Sequence, residues 1–144
     1  MSIEAIILNA AKLVGIPGQL LLAMCMHESA NFQITYSPMD GHSPSYGICQ
    51  IKRSTAEILG FEGTNEELMD TEINAKYAAL YLRYQQSRYD NDWVKLAAAY
   101  NSGSYLPSQK VPGCPKNLSY IVYVRNKLPN NLKHKLYCGR RNKK

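Results

Sequence analysis

The residue with the strongest claim to chemistry is Glu28. It closes the run Leu20-Leu-Leu-Ala-Met-Cys-Met26, seven consecutive apolar residues followed by His27. Pro17 and Gly18 precede the run, no Gly or Pro interrupts it, and Leu, Ala and Met favour helix. The stretch therefore predicts a helix from about Gly18 to about Ser29. Glu28 continues the row Leu21, Met24, Cys25 at spacings of three and four, so it projects from an apolar face. It also sits at the helix C-terminus, where backbone carbonyls disfavour a negative charge. Both effects favour a protonated carboxyl, and a perturbed acid is a functional-site candidate. A solvated glutamate beyond a frayed helix end fits this stretch alone about as well.

Other chemistries lack their residues. His27-Glu28 invites a zinc-protease reading, but position 31, where the second histidine belongs, is Asn31. His42 and His134 have no helical spacing to His27, so no metal site is expected. Neither a G-x-S-x-G elbow nor a phosphate-binding loop occurs, and no cofactor is expected. The four cysteines form no C-x-x-C pair. Cys25 and Cys49 lie in apolar contexts and read as core thiols. Cys114 and Cys138 lie in the C-terminal third and are the pair available for a disulfide tethering the chain end.

At 144 residues, 45% hydrophobic and 19% charged, the chain is sized and composed for one globular domain rather than a disordered segment. No apolar run reaches the roughly 20 residues needed to span a bilayer. Met1-Ser-Ile-Glu4 has no basic leader region, so another system is expected to carry the protein to any extracytoplasmic target. The net charge of +6 is unevenly placed. Residues 1–92 hold six Lys/Arg and all eleven acids, whereas residues 93–144 hold eleven Lys/Arg and no acid. That polarity predicts attraction to a polyanion, with a plain solubilising tail as the bland reading.

The elements that must position Glu28 are mostly helical. A first helix is predicted over about Ser2–Val14, then the central one. Ser37-Pro-Met-Asp-Gly-His-Ser-Pro-Ser45 reads as turns and loops, flanked by short strands near Ile34–Tyr36 and Tyr46–Ile51. Ser54-Thr-Ala-Glu57 and Thr64-Asn-Glu-Glu67 both carry capping-box spacing. Ile73, Tyr77, Leu80, Tyr81 and Tyr84 mark a long helix to about Tyr89, Asp92 can cap the next, and a last helix covers about Leu118–Leu128. The prediction is one mainly α domain over 1–130, with a small loop or hairpin region near 33–51, and a basic tail over 131–144.

Glu28-Ser29, then Ser37, then Tyr46-Gly47-Ile-Cys-Gln50-Ile51, then Ala99-Tyr100-Asn101-Ser-Gly103 resemble, in order and spacing, the soluble lytic transglycosylase family. The likeness extends over about residues 4–128 and implies a lysozyme-like α+β fold. It implies cleavage of the β-1,4 bond between N-acetylmuramic acid and N-acetylglucosamine in peptidoglycan, leaving a 1,6-anhydro sugar. Glu28 matches the single catalytic acid of that family, and the substrate N-acetyl group stands in for a second carboxylate. Ser37, Gly47, Gln50, Tyr100, Asn101 and Tyr120 match substrate-side positions, Gly47 where backbone comes close to the sugar. The rival structural roles are a core position for Tyr100 and a helix cap for Asn101.

The departures matter as much. Cys49 stands where the family often has Met, and Leu118-Ser119 replaces the usual Glu-Thr before Tyr120. The loop Pro38–Ser45 is longer than the family's turn and contains Asp40. Asp40 suits an Asx turn, or as a second carboxylate it would make the chain a hydrolytic muramidase. A third alternative is a glycan-binding virion or envelope component without activity. Expected partners are peptidoglycan strands and, through the basic C-terminal region, an anionic envelope polymer. Nucleic acid is disfavoured because charge is its only support. The cell wall or periplasm is the expected place of action, with delivery by a bacteriophage virion or lysis system, or by a secretion apparatus.

Overall fold

Ser2 starts the fold, its hydroxyl accepting the Ala5 N–H at 3.1 Å to cap α1 (Ile3–Val14). The computed structural model, which describes residues 1–139, continues across Pro17 into α2 (Gly18–Glu28). Leu20, Leu21, Met24 and Cys25 on α2 are completely buried. Around it pack α1, α5 (Thr71–Tyr89), α6 (Trp93–Ser102) and α7 (Leu118–Lys127). Each large apolar side chain removed from water there contributes about 1.5–3 kcal/mol. A helix apolar nearly all round is stable only in such a place.

Between α2 and α5 lie three antiparallel strands in the order β1 (Tyr36–Asp40), β2 (Ser43–Tyr46), β3 (Ile51–Lys52). The hairpin expected near residues 33–51 is present, and its strands run through Ser37–Ser45 rather than flanking it. The Gly41-His42 turn, with Gly41 at φ +74, reverses the chain and pairs Tyr36 with Tyr46 and Ser37 with Ser45. Pro38 fits because β1 is an edge strand, where a missing N–H breaks no ladder bond. After β3 come α3 (Arg53–Ile58) and α4 (Asn65–Leu68). The capping box expected at Ser54 is absent: Glu57, its would-be reciprocal partner, instead takes Arg53 Nε at 2.8 Å. The box at Thr64 and the cap from Asp92 form as expected, and Asp70 caps α5.

One buried amide fixes the sheet against the helices. Asn74, in the first turn of α5, donates from Nδ2 to Tyr46 O at 2.7 Å and Leu68 O at 2.8 Å, and its Oδ1 accepts the Cys49 N–H at 2.8 Å. Gly47 makes room for it. At φ +80, a Cβ on Gly47 would lie 2.2 Å from Asn74 Nδ2. Gly47→Ala combines left-handed strain with displacement of that amide, and is expected to lower unfolding free energy by about 3 kcal/mol. The measurement is a fall in urea midpoint at unchanged slope; an unmoved midpoint would contradict this account.

The cysteines are all bonded among the described residues. Cys25 and Cys49, expected as separate core thiols, form a disulfide at S–S 2.05 Å. The apolar context read correctly as burial, but both sulfurs are buried at one contact between α2 and the β2–β3 turn. Cys114 and Cys138 are also joined. The segment over which a basic tail was expected begins with a 3-10 helix, Asn130–Leu136, whose Leu136 is completely buried. Its Lys133 Nζ donates to Leu128 O at 2.8 Å, and Arg125 Nη1 donates to Leu136 O at 3.1 Å. Lys133 thus satisfies a carbonyl at the end of α7 and Arg125 one at the end of the 3-10 helix, positions where helices favour positive charge. Arg140, Arg141, Lys143 and Lys144 of that expected tail lie outside the described residues. No helix among the described residues is long and apolar enough to cross a membrane.

Candidate active site

Ser29 decides where Glu28 sits. Its hydroxyl is buried, donates to Cys25 O at 2.8 Å and accepts the Phe32 N–H at 2.9 Å. α2 therefore ends at Glu28, and Ala30, Asn31 and Phe32 follow in left-handed backbone at φ 51, 58 and 69. That conformation costs about 1–2 kcal/mol per residue, so it persists only because its surroundings impose it. Asn31 N–H returns to Met26 O at 2.7 Å, and Lys127 Nζ on α7 donates to Asn31 Oδ1 at 2.9 Å. The chain reversal fixes the carboxyl rather than letting the helix end fray.

Glu28 lines a polar cleft of about 300 Å³ together with Asp40, Gln50, Tyr100 and Asn101. Its pKa is pushed up to about 7, first by burial and then by the nearby charge of Asp40; Tyr120 opposes the shift. The Tyr120 hydroxyl is close enough to pull the carboxyl down, yet neither it nor the Tyr100 hydroxyl makes a regular hydrogen bond among the described residues. Both phenols are buried, and burial followed by the Glu28 charge holds them well above the usual tyrosine range. Two neutral, unsatisfied donors beside a protonated acid are unusual in a folded interior and suit a site that completes its bonds on a ligand.

Each wall is fixed from behind. Gln50, itself left-handed at φ 52, donates from Nε2 to Gly47 O at 2.8 Å and accepts from Ser37 Oγ at 2.5 Å. Ser37 thus acts on the cleft through Gln50. Asn117 Nδ2 donates to Asn101 Oδ1 at 2.9 Å and to Ala98 O at 3.1 Å, leaving the amide end of Asn101 for the cleft. Buried Gln85 on α5 donates to Ala99 O and Gly103 O, and Arg88 Nη1 donates to Gly103 O at 2.7 Å. These bonds clamp the end of α6 that carries Tyr100 and Asn101. Behind Tyr120, the His27 ring packs edge-on at 5.3 Å and stacks on Tyr123 at 5.4 Å. Burial first, then Lys127, lowers the His27 pKa, so it packs there as a neutral ring.

The sequence-predicted residues therefore divide. Glu28, Gln50, Tyr100 and Asn101 line the cleft; Ser37 and Tyr120 support it from behind. Gly47 is buried against Asn74, and the close approach it permits is to that side chain. Asp40 does not form the Asx turn considered for it: its Oδ2 accepts from Ser45 Oγ at 2.6 Å, and the residue lines the cleft. Sequence reasoning missed Asn74, Gln85, Arg88 and Asn117. The available signal was a polar amide on an otherwise apolar face, as at Asn74 and Gln85. A larger groove of about 450 Å³ between α1 and α5 is lined mainly by apolar side chains such as Ile6, Leu13 and Ile73, and brings together no comparable set of polar groups.

Comparison with known proteins agrees with this architecture. The family model described as transglycosylase SLT domain matches residues 5–110. Among solved structures, an inactive mutant of the lytic transglycosylase Slt from Pseudomonas aeruginosa superposes with a TM-score of 0.61 at 19% identity. The match takes in 92% of this chain and 22% of that one, so the chain spans about a fifth of that protein's length. At that identity the likeness is one of fold: mainly α, lysozyme-like, with a small antiparallel sheet. No curated protein sequence matches the chain.

Proposed function

The chain belongs to the transglycosylase SLT domain family, and we propose that it is a peptidoglycan lytic transglycosylase with Glu28 as its single general acid and base. One observation carries the reading: a carboxyl with a pKa of about 7 in a polar cleft. Such a group is half protonated at neutral pH, which suits it to give a proton and take one back. In the first step Glu28 protonates the glycosidic oxygen, and the bond from that oxygen to muramic acid C1 breaks. The substrate N-acetyl group holds the cation that forms at C1. In the second step the Glu28 carboxylate removes the proton from the C6 hydroxyl, whose oxygen bonds to C1. The 1,6-anhydro ring closes, Glu28 is again protonated, and no water is consumed.

The remaining residues fit that sequence. Tyr120 and Tyr100 are neutral donors beside the carboxylate formed in the first step, able to hydrogen-bond to it as it forms. Gln50 and Asn101 present amides on opposite elements to hydroxyl and N-acetyl groups of the sugar. Two disulfides suit an oxidising compartment, such as the one that holds a wall substrate. Lys110 and Lys116, both exposed, are basic charges in position to face an anionic envelope polymer.

A second reading, hydrolysis by Glu28 with Asp40, is favoured by the presence of both carboxyls in one cleft. Mass spectrometry of digested peptidoglycan separates the two. Anhydro-muramyl ends are expected; reducing ends alone would overturn the transglycosylase reading.

A further inference from the structure

Asp40 is the carboxyl of the cleft that the reaction just described leaves without work. It ends β1 at the hairpin turn, and the register Asp40–Ser43 holds its backbone. Its Oδ2 takes the hydroxyl of buried Ser45 at 2.6 Å. Lys52 on β3 donates its ammonium to the Asp40 backbone carbonyl, and no ion pair joins it to the carboxylate. The side chain is thus anchored at one oxygen, with no ion pair to its carboxylate among the described residues, in the cleft that contains Glu28.

We propose that Asp40 is a second working carboxylate of this cleft, one that supports the cation at C1 and drives the proton of the C6 hydroxyl onto Glu28. The inference rests on the transglycosylase reading and adds a group to it. Once Glu28 has given up its proton, two carboxylates share one cleft, and like charges in one site disfavour double ionisation. The second step relieves that repulsion by returning a proton to Glu28. Between the steps, Asp40 supplies a negative charge near the cationic sugar. Asp40 is exposed in the open cleft, and a bound glycan displaces the water that screens it, so its influence is greatest during catalysis.

The charged and titratable groups around Glu28 leave this role to Asp40. From α7, α6 and α5, Tyr120, Tyr100 and Tyr81 all have raised pKa values and stay neutral through the working range. On α2, His27 is packed on Tyr120 and Tyr123. On β3, Lys52 is the one cation among the described residues that lines the cleft, and its charge partly offsets that of Asp40.

The test is the pH dependence of kcat for Asp40→Asn and Asp40→Glu on peptidoglycan. Removing the negative charge makes Glu28 more acidic, so the limb on which rate falls with rising pH moves to lower pH. A shift of up to about one unit and a loss of roughly tenfold in kcat are expected for Asp40→Asn, with KM little changed. Asp40→Glu keeps the charge and restores the wild-type limb. An Asn variant that melts like wild type and shows the wild-type limb and kcat would overturn the proposal. Loss of reducing-end products alone, with the anhydro-forming rate and limb unchanged, would also overturn it by assigning Asp40 to water. Inactivity of Glu28→Gln at every pH would uphold the acid assignment whatever the Asp40 variants do.

Discussion

Glu28→Gln is expected to lose about a thousandfold or more of lytic activity while becoming more stable than the parent above neutral pH. The first effect follows from removing the proton that the leaving oxygen needs, a contribution of about 10²–10⁴ for a positioned acid. Wall lysis undiminished by the substitution would remove Glu28 from the mechanism. The second follows from linkage. The folded-state pKa of Glu28, about 7, lies above its ordinary value of 4.5, so the native state holds this proton more tightly than the unfolded chain. The cost of ionising the buried group is absent below about pH 4.5, grows as pH rises, and levels off above 7 at up to about 3 kcal/mol. Glutamine carries no charge to desolvate. The variant should therefore melt several degrees above wild type at pH 8 and together with it at pH 4. A gain that was the same at both pH values would point to packing rather than ionisation. Stability given up at a working acid is the usual trade at an active site.

What the sequence makes legible and what it hides have physical reasons. Glu28 is visible because an apolar run and a helix end are local facts, and both push a carboxyl toward its protonated form. The caps at Ser2, Thr64, Asp70 and Asp92 are visible for the same reason: each is a side chain three residues or fewer from the N–H it accepts. A hairpin near residues 33–51 is legible, but the reach of its strands through Ser37–Ser45 is hidden because Pro, Gly, Asp and Ser carry turn signals whether or not the chain on either side pairs. Its pairing is decided by Tyr46 and Ser45, packed beneath it, rather than by propensity in β1. Asn74 is hidden because its partners are 25 and 28 residues away along the chain, apart from Leu68. Gly47 shows the limit of motif matching. The motif marks a position where only glycine fits, and the structure supplies the reason, an amide occupying the space of a Cβ.

The same separation in sequence hides the Cys25–Cys49 bond, whose removal should have the largest effect on the fold. Cys25 lies one turn before Glu28 on the same face of α2, and Cys49 directly precedes Gln50. The bond therefore joins the acid-bearing helix to the turn that carries the opposite wall. It spans 24 residues, and closing a loop of that length stabilises a fold by about 3 kcal/mol through the unfolded chain. Both sulfurs are completely buried, so Cys25→Ala with Cys49→Ala also leaves unfilled volume, for a total loss of about 3–5 kcal/mol in urea unfolding. Activity should fall as well, measured at a temperature where the double variant is fully folded, because the Gln50 turn then loses its covalent tie to α2. Cys114→Ala with Cys138→Ala supplies the comparison. That bond spans the same 24 residues but ties the 3-10 helix region to the Pro-rich loop, away from Glu28. Its loss should cost a similar stability and leave kcat near wild type. Equal loss of kcat in the two double variants would show that the bonds act only on stability, and that the Cys25–Cys49 bond has no special part in setting the cleft.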